Sequence, residues 1–572
     1  MSLASPAGRT TARRLSRLLS IVLLALLAIL LVEVFLETWT QVLTGPTSTD
    51  PRVNLELASQ WPKTLKNALY FGLAAVTFAK IAVDRRWKSF RTPADLALAA
   101  LVVVLVLAGL VNGSSPKLMA DALFVYLRGA LVFYALRSAD VTPRTGRRLM
   151  TVAGVLVGVN VLLALLQMII GEPAYRMLGW VDLTWAGQYR AQGLLPHPNH
   201  LGHVLGLVLL GLLAFMVSRP LPRWWWAVLV PPAIALSATQ SRESLIGVVL
   251  GAVVIGLVAR TPPKKIVVFC LVIVACTGLQ IVARPANRAE WERRIGNVFT
   301  AFRHPASTTS HQPVASKPAT TPRPSPQPEE TTSAAPSARP SRSPSKAASP
   351  TPQVSHSPSP APVREIRVLY FQQSFELWQK QPLLGFGIGQ FGGVVAQKNN
   401  PDWDKNPKFG PKGFNRYGFQ AVQIDSFWLH LGMEAGLLGL LAYAAWLWML
   451  VRPLLQSTRS TGRERRRPRD PLVLWAIAVM PFVALVAVLS PAYEDPLLPP
   501  LLFGILGFAW WSLESAAQAR LRALTAETTQ LPSMRDGRAA DETVILSTDE
   551  IRALARNPRR DERINGSGAP QP

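Results

Sequence analysis

The sequence is poor in cysteine and in acidic side chains, and each shortage removes a class of protein. Cys270 and Cys276 are the 2 cysteines in 572 residues. They lie in one apolar run, where a helix would point them in different directions, so neither a disulfide nor a metal site is expected and both read as small buried residues. Asp and Glu number 34 against 60 Lys and Arg, a net charge of +26. The basic excess lies in short loops and tails without basic-aromatic clustering, so no nucleic-acid partner is expected. No small-residue cleavage site follows the first apolar run, which predicts an uncleaved first span.

What is abundant is apolar sequence. Hydrophobic residues make up 49% of the chain and the mean hydropathy is +0.22. Repeated uncharged runs of about 18 residues or more are the length a helix needs to cross a bilayer, which predicts an all-α polytopic membrane protein. Twelve spans are expected, near 18–36, 65–83, 94–112, 118–136, 149–170, 199–217, 222–238, 243–259, 264–283, 427–451, 471–489 and 497–513. Lys66, Asn67 and Lys80 interrupt the second.

Basic residues alternate from loop to loop. Arg9, Arg13, Arg14 and Arg17 precede the first span, and similar clusters follow the second, fourth, eighth and tenth, while the intervening short loops carry few. The positive-inside rule then predicts both termini cytoplasmic. The expected organisation is a cytoplasmic N-terminus 1–17, spans over 18–283, an outer-face loop 284–426, spans over 427–513 and a cytoplasmic tail 514–572.

Three polar stretches fall on the predicted outer face. One is Arg190-Ala-Gln-Gly193-Leu-Leu-Pro-His197-Pro-Asn199-His200, another is Gln240-Ser241-Arg242-Glu243, and the third is the large loop. Within that loop 304–362 is rich in Pro, Ser, Thr and Ala and is expected to be disordered. Val368 to Trp378 has apolar residues at helical spacing, and a glycine-rich turn from Pro382 to Gly392 follows.

Arginine offers a planar, permanently charged fork that suits phosphate oxygens, so Arg190 and Arg242 could hold a lipid diphosphate; either could instead snorkel to lipid headgroups. His197, His200 and His203 recur every third residue with no carboxylate close by in the segment, which favours a polar anchor or proton acceptor over a metal site. Asp425, entering the tenth span, could remove a proton from an acceptor hydroxyl, could cap the helix, or could do both. Glu434 must face the bundle or water, because a lipid-facing carboxylate is costly. Asp121 and Arg128 read as members of a buried polar network, and His430 as a hydrogen-bonded bundle residue.

Four of these segments, taken in order, resemble the O-antigen ligase and polymerase superfamily. They are Arg190-x-x-Gly193 with Pro198-Asn199, Ser241-Arg242 with Gly247, Pro382-x-x-Gly385-x-Gly387-x-Gly389-x-Phe391, and Asp425-Ser-Phe-Trp-Leu followed by Glu434-Ala-Gly-Leu-Leu-Gly439. The resemblance implies a polytopic glycosyltransferase that uses a polyprenyl-diphosphate-linked glycan on the outer face without metal, nucleotide or other cofactor. It implies that Arg190 and Arg242 hold the donor diphosphate, with Asn199, Ser241, Gly385, Gly387 and Glu434 in support. Ligases of this family carry a histidine where this chain has Asp425, so the base is Asp425, His197 or His200.

The acceptor could be a glycan, a lipid or a protein, the last making the chain an O-linked oligosaccharyltransferase. A transporter of a small anion such as bicarbonate would instead gather ionisable groups at the midplane, often with internal repeats. Here the polar residues collect at the outer rim and no repeat is evident. In the tail, Thr528, Thr529 and Thr543 follow acidic residues as in acceptor sites of bacterial Ser/Thr kinases, which could make a phosphothreonine reader a partner. Ser547-x-x-Glu550 is a plausible capping box for one short helix.

Overall fold

The computed structural model describes residues 6–45, 59–283, 288, 366–415, 423–459 and 470–530. Among these the chain is helical, with no strand. The helices are α1 (Pro6–Thr44), α2 (Trp61–Val83), α3 (Pro93–Val111), α4 (Pro116–Ser138), α5 (Pro143–Ile170), short α6 (Glu172–Met177) and α7 (Thr184–Gly187), and α8 (Pro198–Ser218). There follow α9 (Val230–Thr239), α10 (Arg242–Ala259), α11 (Pro263–Ala283), α12 (Ile366–Trp378), α13 (Val394–Asn399), α14 (Phe427–Thr458), α15 (Pro471–Leu489) and α16 (Leu498–Gln530).

Local sequence sets the starts. Pro occupies the first turn of α3, α4, α5, α8 and α15, where its missing N–H costs no hydrogen bond. Thr92, Ser115, Thr142, His197, Ser426 and Asp470 stand at N-caps.

Nine of the described helices are long and apolar enough to cross a membrane, and the chain is a multi-pass membrane protein. The three other expected spans are helical too, each with a departure. In α2 the interrupting lysines are buried and paired: Lys66 lies 2.6 Å from Glu37 of α1, and Lys80 reaches Asp84 at 2.7 Å and Asp140 at 2.8 Å. That pairing is what makes charge tolerable inside an apolar bundle. The seventh expected span is a 3-10 turn, Arg223–Leu229, followed by the short α9. The twelfth runs on past 513 to Gln530, so Thr528 and Thr529 fall in the last turn of a helix instead of a tail. Thr543, the Ser547–Glu550 box and the Pro/Ser/Thr-rich segment 304–362 lie outside the described residues.

Helices α8 and α15 form the buried centre, packed on each other and on α10. Helices α5 and α11 sit at the periphery and present bare apolar side chains such as Leu162, Ile169 and Val282. The N-termini of α4, α8, α10, α14 and α16 gather at one end of the bundle with the C-termini of α3, α9 and α15. Cross-links at that end include Ala191 N to Ala238 O, Phe427 N to Ser490 O, and Ser114 Oγ to Ile388 O. The basic loops after α2, α4, α8 and α10 lie at the other end.

Candidate functional site

The Arg190 segment is built from buried amides outward. Gln167 of α5 accepts from the N–H groups of Gln192 (3.0 Å) and Gly193 (2.8 Å), and donates to the Gly193 carbonyl (3.1 Å). Asn160 Oδ1 accepts from Leu194 N at 3.0 Å. Gly193 has φ +63, and a Cβ there would stand 2.6 Å from Asn160 Oδ1, so only glycine fits. This cradle delivers Arg190, 7% exposed, to the C-terminus of α9. Its Nε donates to the Thr239 carbonyl (2.9 Å), its Nη2 to Asn199 Oδ1 (2.5 Å), and its guanidinium lies 5.2 Å from the Trp185 ring.

Thr239 leads into the second segment. Gln240 takes φ +54, which turns the chain sharply and puts Ser241 and Arg242 at the start of α10. Ser241 packs against Gly202 of α8, where a Cβ would come within 2.7 Å of the serine Cβ, and it shares a 2.7 Å hydrogen bond with Ser244. Arg190, Asn199, Ser241 and Arg242 therefore share one corner, formed by the ends of α8, α9 and α10.

The histidines line the same corner. His197 caps α8, its Nδ1 accepting from Asn199 N at 3.0 Å, and its ring meets Trp185 edge-on at 4.4 Å. Burial, then the neighbouring His200 and Arg190, pushes its pKa down to about 3. The rings of His197, His200 and His203 follow each other at 5.9 and 6.3 Å. His203 is fully buried and stands 3.9 Å from Glu243, beyond hydrogen-bonding reach.

The glycine-rich turn is folded around one carboxylate. Glu434 accepts from Gly389 N (2.7 Å), Phe391 N (3.0 Å) and Tyr126 Oη (2.5 Å). It sits where α14 breaks at Gly436, φ +64, and the amides of Phe386, Gly387, Leu437 and Leu438 cross-bond the turn to the break. Gly385, Gly387, Gly389 and Gly392 all have positive φ, which accounts for the glycine spacing. Glu434 is thus a buried anchor, with Gly385 and Gly387 supplying the backbone it grips.

Asp425 is half exposed and pairs with Arg367 of α12 at 3.2 Å. It does not cap α14: Ser426 does, its Oγ accepting from Leu429 N, because Ser426 holds the extended conformation of an N-cap residue. Asp121 and Arg128 do not share a network. Asp121 is partly exposed beside Lys398 and Asn399, whereas Arg128 is buried and donates to the backbone carbonyl of Glu494.

Sequence reasoning missed the turn between α15 and α16, Pro491-Ala-Tyr-Glu494-Asp495. Its two carboxylates each face a histidine from a different helix. Glu494 bonds His430 Nδ1 and accepts from Val394 N (3.0 Å), while Asp495 Oδ2 stands 3.3 Å from His200 Nε2 and its Oδ1 accepts from Leu497 N (2.8 Å). Two adjacent acids between spans were the available signal, since carboxylates at that depth need partners. Among the described residues no three histidine, cysteine or carboxylate groups lie close enough to hold a metal ion.

Residues 227–444 match the family model described as O-antigen ligase. No curated protein matches the chain. The matched segment includes Ser241-Arg242, the glycine turn and Asp425 to Gly439, while Arg190 to His200 precede it and the Glu494-Asp495 turn follows it. Together with the all-helical membrane architecture, this match supports similarity to the O-antigen ligase/polymerase superfamily.

Proposed function

We propose that the chain transfers a glycan from a polyprenyl-diphosphate carrier to a hydroxyl acceptor on the outer face of the cytoplasmic membrane, by ligation or polymerisation. The observation that carries this reading is the arginine corner. Arg190 and Arg242 come from separate segments whose helix ends converge, and Arg190 is oriented by Asn199 Oδ1 and the Thr239 carbonyl. A fixed guanidinium fork of the kind Arg190 shows suits a diphosphate. The family match supports a glycosyltransferase, and the alternation of basic loops supports the outward orientation. An apolar cavity of about 130 Å³, lined by Leu27, Leu30, Val34, Val204, Leu207 and Phe508 among others, suits a short stretch of hydrocarbon chain.

In this mechanism Arg190 and Arg242 bind the diphosphate and stabilise the charge that develops on it as it leaves. The acceptor hydroxyl attacks the anomeric carbon and gives its proton to Asp425, His197 or His200. Accumulated lipid-linked glycan and lost product are expected for Arg190→Ala and Arg242→Ala at normal protein levels. An unchanged glycan profile in both would sink the reading.

A further inference from the structure

We infer that His200 is the base for this transfer and that Asp495 is its positioning residue, a role that rests on the transferase reading above. The three groups open to proton removal differ in what already occupies them. Asp425 is engaged by Arg367 at 3.2 Å. His197 spends Nδ1 on the Asn199 amide as a helix cap, and its ring is packed against Trp185. His200 has Asp495 Oδ2 3.3 Å from Nε2, while its Nδ1 is buried with no hydrogen-bond partner among the described residues.

An imidazole with a carboxylate on one nitrogen and nothing on the other is arranged as a base. The carboxylate, 3.3 Å from Nε2, stabilises the imidazolium that forms. Asp495 is itself held by the Leu497 amide, so it cannot swing away freely. An unpartnered buried nitrogen is costly, which points to a partner the chain does not provide. The side chain of His200 is 26% exposed but Nδ1 itself is buried, so an acceptor hydroxyl has to displace what covers that nitrogen. The site is adjacent to the arginine corner: His200 follows Asn199, the residue that holds Arg190. His203 and His197 flank the ring, and Asp495 is the carboxylate that meets it.

The step balances simply. The acceptor oxygen bonds to the anomeric carbon as its proton passes to His200 Nδ1. The bond from that carbon to the phosphate oxygen breaks, its electron pair leaving with the polyprenyl diphosphate. The imidazolium, steadied by Asp495, then returns the proton to water.

The test uses the full chain reconstituted in lipid nanodiscs, with donor extracted from cells carrying Arg190→Ala, where lipid-linked glycan is expected to accumulate. Asp495→Asn is expected to lower kcat about 100-fold, the low end of what a general base contributes, with KM for the donor nearly unchanged. Asp495→Glu recovers part of the loss. His200→Ala is inactive and regains turnover when imidazole is added, which also carries the test if Asp495→Asn does not fold. A wild-type kcat in Asp495→Asn, a loss confined to KM, or no rescue by imidazole overturns the pairing while the transferase reading stands. If Arg190→Ala cells accumulate no donor and make normal product, it is the transferase reading that fails, and the pairing falls with it.

Discussion

Two histidine–carboxylate pairs sit on one turn, built from adjacent residues, and they differ chiefly in access. Glu494 and His430 are sealed, with side chains 1% and 0% exposed, and Glu494 also grips the Val394 amide while its backbone carbonyl takes Arg128. Asp495 and His200 stand 3.3 Å apart without a hydrogen bond like the one that joins Glu494 to His430, and the histidine side chain is 26% exposed beside the arginine corner. The inner pair clamps α4, α13 and α14 together, and the outer pair is the one we propose for the chemistry. Similar groups one residue apart can therefore be assigned to scaffold and to chemistry by burial and neighbours alone.

The sharpest way to break this contrast is to remove each carboxylate in turn. Glu494→Gln should destabilise the protein by about 3–5 kcal/mol, as expected when one member of a buried charged pair is deleted. Its melting temperature in detergent should fall steeply, whereas that of Asp495→Asn should move little. Equal losses in the two variants would erase the distinction.

The second clamp, Glu434, gives a smaller effect. Glu434→Gln keeps one oxygen for three donors and turns an NH₂ toward an amide, which should cost about 1–3 kcal/mol. Protease cleavage within 385–393 should speed up as the glycine turn loosens. Cleavage at the wild-type rate would mean that Glu434 does not hold it.

Beside the arginine corner, acidification should act through His197. Its pKa is about 3 in the folded protein against the ordinary imidazole value of 6.5, so the unfolded chain binds a proton that the folded one refuses. The stability it contributes is complete above pH 6.5 and is lost as the pH falls toward 3, roughly 2 kcal/mol of it by pH 5. His197→Asn, which can still cap α8, should flatten the pH dependence of the melting temperature. An unaltered slope would place the titrating group elsewhere. Gly193→Ala should cost more than the about 1–2 kcal/mol of its positive φ, because the added Cβ meets Asn160 Oδ1 at 2.6 Å, and should shift Arg190 enough to slow transfer.

Much of this was legible in the sequence. Apolar runs located every long helix, and the glycine spacing of 385–392 reported a backbone that turns through positive φ at each step. Ser426, not Asp425, caps α14, because neighbouring polar residues compete for a cap and backbone geometry decides between them. Lys66 looked like an interruption of its span until Glu37, on a helix that precedes it in the chain, was seen to neutralise it. Asp495 was invisible as a functional residue for the same reason, since its partner His200 lies in α8, far away in sequence. Spacing reveals local geometry, and pairings between distant segments emerge only on folding.

The most direct measurement is the stoichiometry of carrier release. With purified protein in nanodiscs and extracted lipid-linked glycan, one polyprenyl diphosphate should be freed for each glycosidic bond formed, and both should vanish together in Arg190→Ala. Product that forms without release of polyprenyl diphosphate would contradict the diphosphate-holding role of the arginine corner.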